Sequence, residues 1–265
     1  LEKPKNNYLS VISSEYKRKV GKAKIRIGYF SGDFKKHAVF HLIQDLFINH
    51  NKSDFEIYAY STVKSEGPER DKIANNSDKF FDIDNFSDEE IIRLIKSHEL
   101  DVAIDLSGYT VHNKSHLFEH NIAEIKINYL GFPGTMGTDK YDYILADKNI
   151  IPINHQNFYS EKVIYMSEIY QPFTPVEFNM NRKRSEFNLP ENVFIMGCFS
   201  RIEKILPKIF DVWMKIINKY DNVNLALCIN KENVKKNIQD YCNQKNYNYK
   251  KILFLNSMEH KENLM

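Results

Sequence analysis

Four short segments carry the side chains best suited to chemistry. "SGDFKKH" (31–37) sets a carboxylate, Asp33, four residues ahead of an imidazole, His37. Residues four apart meet where a helix begins. A carboxylate beside an imidazole raises its basicity and fixes its tautomer, as a general base requires. The same residues equally suit a capped helix start, with Asp33 as the N-cap and His37 solvated in the first turn. His41, one turn on, reads as a packing or hydrogen-bonding residue. "SGYTVHN" (107–113) is a second polar, glycine-containing segment. "GFPGTMG" (131–137) contains Gly131, Pro133, Gly134 and Thr135. Its glycines let backbone approach a ligand. It lacks the G-x-G-x-x-G order of a dinucleotide fingerprint, so alone it reads as a tight turn. "FSRIEKILP" (199–207) brings Arg201 and Lys204 close to Pro207, a residue suited to the first helical position. A lysine and a helix N-terminus converging on one point would hold a diphosphate; the alternative is a solvated basic turn.

These segments gain meaning from the elements that flank them. β-rich runs at 24–30, 55–61, 101–106, 125–130 and 142–147 predict strands. Val39, Phe40, Ile43, Leu46 and Phe47 recur at helical spacing, and Ser87 with Glu90 forms a capping-box pattern ahead of "IIRLIKSHEL". Several strands are apolar on both faces, the mark of a parallel sheet covered by helices on each side. A Rossmann-like layer is expected over about residues 24 to 170. A Pro-, Asn- and charge-rich stretch at 171–190 reads as an interdomain linker. A second alternation follows: strands at 193–198, 223–229 and 251–255, with helices at 208–220 and near 231–245. In a parallel sheet, ligands collect at the carboxyl ends of the strands, and all four segments fall there.

The bulk numbers narrow the function classes. The chain has 265 residues and a formal net charge of +2, from 37 Lys+Arg and 35 Asp+Glu. No concentrated basic field points to nucleic acid or to a membrane surface. No apolar run approaches the length of a span, and no signal peptide opens the chain. Cys198, Cys228 and Cys242 have no metal-type spacing and leave one unpaired, so a reduced, cytoplasmic setting is expected. The chain begins at Leu1 and stops in "MEHKENLM", which reads as the start of a helix. The expectation is an incomplete segment of a longer protein. Residues 1–23 form a linker or N-terminal extension, 24–180 an N-terminal lobe, and 181–265 the first part of a second lobe.

In order and spacing, "IRIGYFSGDFKKHAVFHLI", "DLSGYT", "INYLGFPGTMG", "DKYDYILAD", "EKVIYM" and "CFSRIEKILPKIFDVWMKII" resemble the O-linked N-acetylglucosamine transferases. The likeness runs from about residue 24 to the end and is strongest toward bacterial members that carry tetratricopeptide repeats. It implies an α/β fold of GT-B type: two Rossmann-like lobes with the nucleotide sugar in the cleft between them, the second lobe only partly present here. It implies inverting, metal-independent transfer of a sugar, N-acetylglucosamine by the family's habit, from a UDP-sugar to Ser or Thr hydroxyls of proteins. No cofactor is implied beyond that donor substrate. The partners implied are the UDP-sugar, a protein acceptor, and tetratricopeptide repeats N-terminal to this chain. By the same resemblance Asp33 and His37 match the active-site carboxylate and histidine. Gly131, Pro133, Gly134 and Thr135 match the loop lining the sugar and acceptor side. Lys204 matches the lysine that neutralises departing UDP, and Arg201 stands at the nucleotide where the family usually has glutamine.

The sequence also departs from the family. Ala38 and Val39 follow the histidine in place of Pro-Thr or Pro-Val, Glu203 replaces a tyrosine beside Lys204, and Asn263 replaces a nucleotide-contacting histidine. The family's threonine-rich helix start and ribose-gripping carboxylate fall beyond residue 265, so this segment alone is expected to transfer little or no sugar. Two rival readings stay open: a lobe that binds a nucleotide or partner without catalysis, and a related GT-B transferase acting on Asn or a small acceptor.

Overall fold

The computed structural model describes residues 24–173 and 183–256. These fall into two compact units divided between residues 174 and 175. The extension read at 1–23, the middle of the linker read at 171–190, the helix start read near the C-terminus, and Asn263 lie outside the described residues.

The first unit runs β1 (Ile25–Ser31), α1 (Ala38–Asn49), β2 (Phe55–Ser61), α2 (Pro68–Asn76), β3 (Lys79–Asp82), α3 (Asp88–His98) and β4 (Leu100–Asp105). It continues through β5 (Ala123–Tyr129), β6 (Tyr143–Ala146) and β7 (Lys162–Tyr165). The seven strands pair in the order β3-β2-β1-β4-β5-β6-β7, every pair parallel. Chain direction across the sheet reverses between β1 and β4, the switch point where doubly wound sheets open a crevice.

Alternation along β1 feeds two cores. Ile27 and Tyr29 pack with Val39, Ile43 and Phe47 of α1 and Ile73 of α2. Phe30 packs on the other face with Tyr60, Ile91, Ile95 and Leu100. Gly28 lets the two cores close up, because a β-carbon there would lie 2.5 Å from Leu100 Cδ1 and force that buried side chain to shift. The Ser87 capping box is present, with Ser87 Oγ accepting from the Glu90 N–H and the Glu90 carboxylate accepting from the Ser87 N–H. Three elements escaped the sequence reading: α2, β3 and β7. Helix α2 buries only Ile73, so its periodicity is faint, and β3 and β7 are four-residue strands.

The second unit comprises β8 (Phe194–Cys198), α4 (Pro207–Lys219), β9 (Val223–Cys228), α5 (Glu232–Gln244) and β10 (Ile252–Leu255). Its strands are parallel in the order β10-β9-β8. Phe210, Met214 and Ile217 of α4 close onto Leu225 and Leu227 of β9 and Cys242 of α5. Pro207 occupies the start of α4, where its missing N–H costs nothing. All three cysteines are free. Among the described residues, no helix is long and apolar enough to cross a membrane.

The units differ in charge. Residues 24–173 hold 16 Lys+Arg against 23 Asp+Glu, a net of −7, whereas residues 183–256 hold 13 against 7, a net of +6.

Candidate functional site

The first three segments emerge from the carboxyl ends of β1, β4 and β5. The chain leaves β1 at buried Ser31, whose Oγ accepts from the Asp33 N–H at 3.0 Å. The residues up to His37 are bends and not a helical turn, so the N-cap of α1 is His37, which corrects the reading of Asp33 as cap. His37 has extended backbone, and its Nδ1 accepts from the Val39 N–H at 3.3 Å. The same Nδ1 lies 3.4 Å from Asp33 Oδ2, with the imidazole 46% exposed and the carboxylate 15% exposed. The pair is therefore brought together by a bent loop.

That geometry sets two tautomers in competition. With its lone pair toward Val39, Nδ1 is an acceptor and the proton sits on Nε2. With the proton on Nδ1 and aimed at Asp33, Nε2 presents a lone pair. Only the second arrangement makes the exposed nitrogen a base, and Asp33 is the group that favours it.

Neighbouring loops are knitted to this corner. Thr62, just past β2, donates its backbone N–H to Ser31 O and its hydroxyl to His112 O. Gly32 fits between Thr62 and His112, where a β-carbon would come within 3.0 Å of Thr62 Oγ1. Asp105, at the end of β4, is buried and accepts from the N–H groups of Ser107 and Gly108 and from the Tyr141 hydroxyl at 2.7 Å. Burial pushes its carboxyl above the ordinary value, and those three donors pull against the shift.

The 131–137 loop is anchored just as firmly. Buried Asn128 donates through Nδ2 to Phe132 O at 3.0 Å and Gly134 O at 3.1 Å. Gly131 abuts the Leu106 carbonyl, which a β-carbon would overlap, so this position admits only glycine. Tyr159 donates to Pro133 O and Tyr109 to Met136 O. Thr135 Oγ1 donates to Glu161 Oε2 at 2.7 Å. Asn128 Oδ1, at the end of β5, and Thr110 Oγ1, in the 107–113 loop, are buried without a hydrogen-bond partner, the kind of atom that a water or ligand group normally satisfies.

Arg201 and Lys204 lie in the second unit. Arg201 caps a 3-10 turn, Ile202–Lys204, that sits between β8 and α4. A cleft of about 380 Å³ opens at the carboxyl ends of β8 and β9, lined in part by Phe199, Arg201, Glu203, Asn230 and Lys231. Lys204 is exposed on the same turn but is not among the cleft-lining residues. The structure thus joins Asp33 to His37, gathers Gly131, Pro133, Gly134 and Thr135 in one anchored loop, and places Arg201 in the cleft wall.

Sequence reasoning missed Asp105, Asn128, Glu161, Glu203 as a cleft residue, and Lys231. Asp105 and Asn128 had a signal, since each is a polar residue at the carboxyl end of a strand that feeds one of the singled-out loops. Glu161 had none, being 26 residues from its partner Thr135.

Known proteins resemble this chain in sequence and fold. The family model described as glycosyl transferase family 41 matches residues 5–180 and 174–265. A relative from Arabidopsis thaliana, named "Probable UDP-N-acetylglucosamine-peptide N-acetylglucosaminyltransferase SEC", is 32% identical over 219 residues, 80% of this chain and 22% of its own length. The chain therefore spans about a fifth of that curated relative. Among solved structures, the O-GlcNAc transferase of Thermobaculum terrenum superposes with a TM-score of 0.83 at 22% identity, over 91% of this chain and 46% of that one. The lipopolysaccharide outer core galactosyltransferase WaaB gives 0.53 at 10% identity, over 91% and 70%. These likenesses show the fold, α/β of GT-B type. With a family model matched across both units and nearly every residue, the chain belongs to glycosyl transferase family 41.

Proposed function

We propose that this chain forms the catalytic region of a protein O-GlcNAc transferase. In this reading N-acetylglucosamine passes from UDP-GlcNAc to a Ser or Thr hydroxyl of a protein, with inversion, without a metal or other cofactor, in the cytoplasm. The observation that carries it is the family match through both units, with the motif loops at strand carboxyl ends. The acceptor oxygen bonds to the anomeric carbon as the carbon–phosphate oxygen bond breaks, and the electron pair leaves with the diphosphate.

The first unit orients the acceptor or the donor phosphates through His37 and Asp33. In the tautomer favoured by Asp33, Nε2 of His37 is the atom that can take the acceptor's proton. Gly131, Pro133, Gly134 and Thr135 form the wall on the sugar and acceptor side. In the second unit Arg201 meets the nucleotide, and Lys204 with the start of α4 offsets the charge that grows on the leaving UDP. The basic balance of that unit supports an anionic ligand. Tetratricopeptide repeats preceding this region would present the acceptor.

Transfer of labelled sugar from UDP-GlcNAc to protein by the full-length enzyme tests the reading. Lys204→Ala is expected to lower kcat by about 10²-fold or more, as loss of one group that stabilises transition-state charge does. Absence of transfer from any UDP-sugar would refute it.

Glu203 in the cleft wall favours a second reading, a lobe that holds a nucleotide or partner without catalysis, since a carboxylate there opposes an incoming diphosphate. Calorimetry with UDP on the full-length protein separates the two: binding that depends on Lys204 but yields no turnover would support the lobe. Transfer to Asn or to a small acceptor would instead mark a related GT-B transferase, which an acceptor screen reveals.

A further inference from the structure

We infer that Glu161 is a positioning residue, latching the 131–137 loop to the sheet, and that Thr135 serves this latch through its hydroxyl. The inference rests on the proposed role of that loop as the sugar and acceptor wall.

The loop needs external support. It has no regular hydrogen bonding, it is entered through Leu130 at φ +75°, and it ends on Gly137 at φ +65°. Asn128 holds its first half, as described above. Its second half is held from the start of β7 by Glu161, which is 1% exposed. Glu161 Oε1 accepts from the Met136 N–H at 2.6 Å and Oε2 accepts from the Thr135 hydroxyl at 2.7 Å. Hydrogen bonds to an ionised acceptor are about twice as strong as neutral ones. Glu161 is itself fixed, because the next residue joins β7 to β6 and the Gln156 side chain donates to the Glu161 carbonyl at 3.1 Å. The latch therefore ties the loop back across β6 to β5, the strand that launches it.

Thr135 has no hydrogen-bonding capacity left for a substrate. Its hydroxyl donates to Glu161 Oε2 at 2.7 Å and shares a further hydrogen bond with Ser160 Oγ at 3.0 Å, and its oxygen accepts from the N–H groups of Gly137 at 3.1 Å and Ser160 at 3.2 Å. Whatever the loop offers a sugar or an acceptor comes from its backbone and its shape. Displacing such a wall by about 1 Å can cost on the order of 10²-fold in rate, because reacting atoms lose their alignment.

The test uses the full-length protein with UDP-GlcNAc and a protein acceptor. Glu161→Ala and Thr135→Val are expected to lower kcat about 10- to 100-fold, while the KM for UDP-GlcNAc moves less than about threefold. Glu161→Gln, which can still accept from Met136, and Thr135→Ser, which keeps the hydroxyl, are expected to retain most of the rate. Melting temperatures separate a loosened loop from a misfolded chain. Hydrogen exchange at the Met136 and Gly137 amides, read independently of activity, is expected to accelerate in Glu161→Ala. Full activity in Thr135→Val, equal losses in Glu161→Ala and Glu161→Gln, or unchanged amide exchange would overturn the latch. A wild-type protein that transfers no sugar, yet shows faster exchange in Glu161→Ala, would refute the proposed activity and leave the latch standing.

Discussion

At His37 a single nitrogen faces two partners, and its chemistry depends on which one wins. Nδ1 is 3.3 Å from the Val39 nitrogen and 3.4 Å from the Asp33 carboxylate, so neither contact is strong enough to lock the ring alone. Removing the carboxylate should tip the ring toward Val39 and leave Nε2 protonated. Asp33→Asn is therefore expected to lower kcat without abolishing UDP binding, and His37→Ala to cost about 10²-fold or more. Steady-state kinetics alongside UDP calorimetry check this, and unchanged kcat in His37→Ala would remove the residue from the reaction. The sequence singled out Asp33 and His37 on the premise that a helix begins in the loop; the two meet across a bent loop instead, so the contact holds for a different reason. That shape was not legible in the sequence: an imidazole can cap a helix through Nδ1, a choice no pattern of Asp, Ser and Asn announces.

The elements were legible where local chemistry decides them. Ser87 and Glu90 complete the reciprocal cap of α3, whose buried face is Ile91, Ile92 and Ile95. Ser87→Ala is expected to destabilise the first unit by about 1 kcal/mol, read as a lower urea midpoint. A midpoint unchanged within error would mean that packing alone holds the helix start. Elements whose existence depends on distant partners were hidden. Strand β3 is the edge next to β2, and "KFFD" has no alternation to reveal it. Strand β7 closes the opposite edge and begins at the residue after Glu161, so missing the strand also meant missing the latch. The buried carboxylates show the same divide. Asp105 serves residues two and three positions on, which a local reading could reach, whereas Glu161 serves a loop 26 residues back.

Across the whole molecule, histidine is unevenly placed. Every described histidine lies in the first unit, and residues 183–256 contain none. His50, His98 and His120 are all held below the ordinary histidine value, with burial the leading cause in each. For His98, Lys79 and Arg26 add to the effect, and its Nδ1 meets the Tyr60 hydroxyl at 2.7 Å. A group whose folded pKa is depressed takes up protons more readily when unfolded. Its stabilisation is whole above about pH 6.5 and drains as pH falls through the lowered folded values. The urea midpoint of the first unit is expected to fall between pH 7.5 and pH 5.5, and His98→Gln to flatten the slope; a flat wild-type profile would contradict this. Charge is divided as unevenly, with −7 on residues 24–173 and +6 on residues 183–256. A net charge of +2 suggests a molecule indifferent to charged surfaces. The residues outside these two ranges hold 8 Lys+Arg against 5 Asp+Glu and bring the total to +2, so two oppositely charged segments make the chain behave as two ion-exchange ligands. At low salt and neutral pH it should be retained by anion and cation exchangers alike, and leave both once the Debye length shrinks below about 10 Å.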